Sequence, residues 1–126
     1  MADTLSVIGD TNVLVCEPDG EKLNTDRDVS GVFGDAIWSE RVELVAVPVE
    51  RFGEGFFTLS TRMAGEITQK FVTYRLRLAI VGDISAHLAV SSALRAYVHE
   101  SNRGCDVWFV DDLAALYARL EGANAG

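Results

Sequence analysis

Three short runs constrain this chain more than anything else in it: "VELVAVPV" (Val42–Val49), "LAIVGD" (Leu78–Asp83) and "CDVWFV" (Cys105–Val110). Each is almost continuously apolar. A strand wet on one side alternates in polarity, whereas a strand covered on both faces does not, and that is the signature of a parallel sheet. Between the runs, apolar residues recur at helical spacing. Met63, Ile67, Phe71 and Tyr74 form one face of a helix, with Arg62, Glu66, Gln69 and Thr73 on the other. Val90, Leu94, Tyr97 and Val98 predict a single inward face on the next helix, with Gly104 as its left-handed stop. Leu113, Leu116, Tyr117 and Leu120 predict a last helix, capped by Asp111 or Asp112 and followed by a frayed tail at 121–126.

The N-terminal part reads differently. Leu5–Ile8 and Asn12–Glu17 are two short β-leaning runs with a turn of Gly9, Asp10 and Thr11 between them, so they predict a hairpin. Pro18, Asp19 and Gly20 break the chain. From Asp28, the positions Val29, Val32, Phe33, Ala36 and Ile37 fit one helix face, with Asp26 or Asp28 as cap and Gly31 and Gly34 as weak points. Pro48 belongs at a strand end, because it cannot donate to the ladder. The expected fold is one α/β domain over residues 1–126. It has a mixed five-stranded sheet with a parallel core, an N-terminal hairpin at one side and helices packed on the sheet.

Charge and cysteine content narrow the function classes. The formal charge of −8 and pI near 4.6 argue against nucleic acid, which needs clustered Lys and Arg. Cys16 and Cys105 lie in apolar runs and read as buried residues of a reducing compartment. No paired Cys or His spacing suggests a metal, and no P-loop or dinucleotide glycine pattern suggests a cofactor. The N-terminus has no signal-peptide pattern, and no apolar run approaches membrane-spanning length. A cytoplasmic location is expected.

Several motifs carry a resemblance. Ala64-Gly65-Glu66, Gln69-Lys70-Phe71, Tyr74-Arg75, "LAIVGD" and "ESNRG" (Glu100–Gly104) follow one another at a spacing that resembles a family of small bacterial proteins, domain of unknown function 4180. The resemblance covers about residues 56–120 and implies no activity. The order of elements also resembles the STAS domain of anti-sigma-factor antagonists. There a serine at a helix start is phosphorylated to switch binding. That pattern falls on Leu59-Ser60-Thr61-Arg62, where Leu59 replaces an aspartate and Arg62 a glycine.

In an open parallel sheet, sites form beyond the carboxyl ends of the strands. Here that edge holds Glu50–Thr61, Gly82–Ser85 and Asp111–Leu113. Ser60 and Thr61 read as a helix cap or as phosphoacceptors. Arg62 and Arg75 are candidate anion holders, and Glu66 and Asp83 candidate acid–base carboxylates. Phe52, Phe56 and Phe57 either plug the core or form a contact patch. His87 and His99 read as surface residues. Glu100, Ser101 and Asn102 read as capping groups on the side away from the site edge. The leading expectation is a regulatory interaction domain acting on a protein partner or a second copy. The alternative is a small-molecule binder or small enzyme with a carboxylate pocket at the strand ends.

Overall fold

The three apolar runs become adjacent strands because each can bury both of its faces. A computed structural model describes residues 4–8, 11–18, 22–23, 27–29, 31, 34, 42–52, 54–57, 62–104 and 106–125. The strands are β1 (Thr4–Ile8), β2 (Thr11–Val15), β3 (Leu44–Pro48), β4 (Arg77–Val81) and β5 (Val107–Val110), in that spatial order. β1 and β2 pair antiparallel; β2, β3, β4 and β5 pair parallel. Two 3-10 turns, Val49–Arg51 and Glu54–Phe57, follow β3. Helices α1 (Met63–Thr73), α2 (Ser85–Val90), α3 (Ser92–Arg103) and α4 (Leu113–Ala125) complete the described elements. Arg27–Val29, Gly31 and Gly34 are helical as well; the rest of that expected helix and Cys105 lie outside the described residues.

Each parallel strand is laid beside the previous one, always in the same direction. Right-handed crossovers then put every connecting helix on one face. Val29, Ile67, Phe71 and Leu94 accordingly share a core with Val45, Val47, Leu78, Ile80, Val107 and Phe109. The opposite face is left for α4, whose Leu116 and Leu120 pack with Leu44, Ala46, Ala79 and Trp108. Ala46 and Ala79 are paired in register, and these small residues leave room for the indole and the two leucines. This two-sided burial is why the three runs lack a polar face.

Helix α1 buries Ala64, Ile67, Thr68 and Phe71, a stripe that recurs once per helical turn. Buried Thr68 donates to the Ala64 carbonyl at 2.8 Å and shares a 3.0 Å hydrogen bond with the Tyr97 hydroxyl, tying α1 to α3.

Some expectations need correction. The single helix predicted after β4 is two: Ser91 leaves the helical path and its hydroxyl caps α3 by accepting the Leu94 N–H at 3.1 Å. Val90 therefore points away from the core and is 85% exposed. Gly104 ends α3 in an extended conformation, φ −92°, not a left-handed one. Residues 121–125 continue α4 instead of fraying. Gly65 has no packing reason to be glycine, since an added Cβ would meet nothing within 4 Å.

Candidate functional site

The turn after β4 organises the carboxyl edge of the sheet. Gly82 has φ +146°, and a Cβ there would lie 2.6 Å from a methyl of Val49. Only glycine lets β4 end this close to the chain leaving β3. Its N–H donates to the Val110 carbonyl at 2.9 Å, which joins the turn to β5. Asp83 follows, and its carboxylate accepts the Ser85 N–H at 2.9 Å to start α2. The backbone and side-chain hydrogen bonds from Ser85 hold the Asp83 carboxyl below the ordinary aspartate range. Asp83 is therefore an ionised acceptor at neutral pH and a poor proton donor.

A cavity lies on each side of this turn, with Ile84 lining both. The first, about 410 Å³, sits at the ends of β3 and β4. Phe52, Phe57, Ile84 and Val49 give it apolar walls, and Glu50, Asp83 and His87 give it polar groups. The second, about 460 Å³, lies at the ends of β4 and β5 and is lined by Gly82, Phe109, Asn102, Asp111 and Arg119 among others.

The aromatic wall of the first cavity is built, not incidental. Phe52 and Phe56 stack at 4.1 Å, Phe56 and Phe57 meet edge-on at 5.0 Å, and Phe57 stacks on the His87 ring at 4.6 Å and 18°. The three phenylalanines are only 6%, 1% and 8% exposed, in sequence order. Of the two readings of these rings, burial fits the core plug and corrects the contact patch: three apolar rings against α1 and the strand ends are far more stable inside than in water. Behind them, Arg51 is 1% exposed, and its guanidinium donates to the Glu17 carbonyl at 3.0 Å. The Arg51 carbonyl accepts the Leu23 N–H at 2.6 Å, so this one residue holds both Glu17 and Leu23.

The other candidates scatter. Glu66 is exposed on α1, beside Gly65, Gln69, Lys70 and Thr73, and shares no described cavity with Asp83. The two carboxylates of the expected acid–base pair line different described cavities, Glu66 on the outward face of α1 and Asp83 at a strand-end turn. Arg62 and Arg75 bracket α1 and are the two described non-glycine residues with positive φ, 65° and 61°. They are not neighbours: roughly 16 Å of helix separates them. Arg75 lies at the amino end of β4, away from the site edge. Arg62, not a hydroxyl residue, occupies the N-cap position of α1 and provides no side-chain cap. Ser60 and Thr61 lie outside the described residues.

Asn102 is also corrected. It lines the second cavity with Gly82 and Asp111 and is not turned away from them. Its side-chain oxygen accepts the Phe109 N–H at 2.7 Å, and its carbonyl accepts from the Arg119 guanidinium. That guanidinium lies 4.0 Å from the centre of the Trp108 ring. Glu100 forms a surface ion pair with Arg103, at 3.7 Å.

Sequence reasoning missed Arg51, Arg119 and the place of His87. For His87 a signal existed: it stands four residues after Asp83, one turn along the helix that Asp83 starts. For Arg51 and Arg119 there was none, since which carbonyls an arginine meets depends on what the fold brings to it.

Among the described residues no helix is long and apolar enough to cross a membrane. Neither a curated protein nor a solved structure matches the chain. A family does: the domain of unknown function DUF4180 matches residues 8–120, from the end of β1 to the last buried leucine of α4. The chain belongs to the DUF4180 family.

Proposed function

We propose that this domain is a cytoplasmic bacterial ligand-binding protein whose small-molecule site is the cavity over the ends of β3 and β4. One observation carries the reading: that cavity joins buried apolar walls to three polar side chains at the edge where open parallel sheets bind ligands. Its size of about 410 Å³ suits a small molecule, not a macromolecule. Asp83, Glu50 and His87 would orient the ligand. If the site also performs chemistry, His87 is its proton carrier and Asp83 its fixed negative charge. A fragment screen by amide NMR tests the reading. Hits should perturb Glu50–Phe52 and Asp83–His87 together. Binding only to other surfaces would sink it.

A second reading keeps one specific observation. Helix α1 begins at Arg62 in a left-handed conformation with no side-chain cap from that residue. A phosphate on Ser60 or Thr61 would carry negative charge next to that helix start, where it is favoured. In this reading the domain is a STAS-like regulator that a kinase switches toward or away from a protein partner. Phosphosite mapping of protein from its native cells tests it. Absence of phosphate under all growth conditions, with unchanged partner capture by Ser60→Ala plus Thr61→Ala, would dismiss it.

A further inference from the structure

The cavity at the ends of β3 and β4 has a chemical bias that its volume does not express. Among the described residues, two of its three polar groups are carboxylates, Glu50 and Asp83, and no Lys or Arg lines it. Lys22 comes near, but its ammonium donates to the main-chain carbonyl of Glu50. The other walls are rich in carbon: Phe52, Phe57 and the His87 ring stacked on Phe57 line it with Ile84 and Val49. Carboxylates attract an ammonium group, and an apolar wall beside them takes the carbon around the charge. Among the described residues, Glu50, Asp83 and His87 are not gathered closely enough to hold a metal ion. The arrangement suits a larger, softer cation with carbon around the charge.

We propose that this cavity takes a small organic cation, an alkylammonium or quaternary ammonium group on an apolar body. The inference rests on the reading of this cavity as a ligand site. The cation sits between Asp83 and Glu50 against the aromatic wall, and its apolar body lies on Ile84 and Val49. The Ser85 hydrogen bonds keep the Asp83 charge in place across the neutral range. The chain's overall charge of −8 favours the approach of such a ligand and opposes an anionic one.

Amide NMR of the full chain with three probes of similar size tests this: benzyltrimethylammonium, benzyl alcohol and phenylacetate. The cation should move the amides of Glu50–Phe52 and Asp83–His87 and bind about ten-fold tighter than the alcohol, with phenylacetate weakest. Glu50→Gln with Asp83→Asn should remove the cation's advantage, so that the cation and the alcohol bind that variant with similar affinity. Asn at 83 still accepts the Ser85 N–H, so the turn is kept. If the alcohol or phenylacetate binds those amides as tightly as the cation, the charge inference is overturned and the ligand-site reading stands. If none of the three moves those amides, both fall. The three-probe comparison on the wild-type chain separates these outcomes by itself, even if the double variant fails to fold.

Discussion

Two turns at opposite ends of the sheet use positive φ in opposite ways. At the amino end, α1 stops at Tyr74, and Arg75 takes φ 61° with its side chain in solvent. The Arg75 N–H donates to Val72 and the Leu76 N–H to Phe71, both at 2.9 Å, so the helix carbonyls are closed off. At the carboxyl end, Gly82 takes φ 146°, outside the left-handed basin, with Val49 pressed against its missing Cβ. One turn is satisfied by hydrogen bonds and tolerates a long side chain. The other is held by a close approach and has a cavity on each side. A positive φ inside the left-handed basin, as at Arg75, does not by itself demand glycine; φ 146° does, and the Val49 methyl at the missing Cβ of Gly82 adds a clash.

Substitutions can break that contrast. Gly82→Ala should have the largest effect, a loss of about 3 kcal/mol from forced repacking and backbone strain combined, read by urea unfolding. A loss under about 1 kcal/mol would show that Val49 yields and that the two turns are alike. Asn102→Ala should cost about 1–2 kcal/mol, because it orphans the Phe109 N–H on the outer strand beside the same edge. Gly65→Ala is the control glycine: with nothing near its Cβ it should gain about 0.5–1 kcal/mol from helix propensity alone.

Arg75→Gly should gain less, about 0.5 kcal/mol, as relief of left-handed strain is partly offset by a freer unfolded chain. A loss on that substitution would mean that the arginine side chain, not the backbone, secures the amino-end turn. The smallest effect concerns acid. The Asp83 carboxyl is held below its unfolded value by the Ser85 hydrogen bonds. Its contribution is present above the ordinary aspartate pKa of about 3.9 and is lost as pH falls through the lower folded value. Asp83→Asn should remove that small acid-side loss, seen as a flatter urea midpoint between neutral pH and about pH 3.

Much of the fold was legible in the chain. Nearly continuous apolar runs at 42–49, 78–83 and 105–110 are short and β-branched enough to read as two-faced strands, and short strands alternating with helices leave few topologies. The site edge followed from that topology, which is why Asp83 and the 50–57 loop were already candidates. The membership of the site was not legible. Glu66 and Asp83 both belong to helix starts in sequence, yet one faces outward from α1 and the other closes a strand. Phe52, Phe56 and Phe57 carry no period that distinguishes a core plug from an exposed patch. The break at Ser91 hides inside apolar spacing that one helix satisfies equally well, and only the fate of Val90 reveals it.

The sequence by itself determined the strands, the buried faces of α1 and α4 and the family, because backbone periodicity and turn chemistry are local properties. Tertiary structure alone decided that Arg51 is buried, that His87 stacks on Phe57, and that Gly82 must be glycine. Each of these depends on atoms brought together from strands and loops far apart in the chain. Burial, stacking and close approach are properties of pairs, and the pairs exist only once the parallel strands lie side by side.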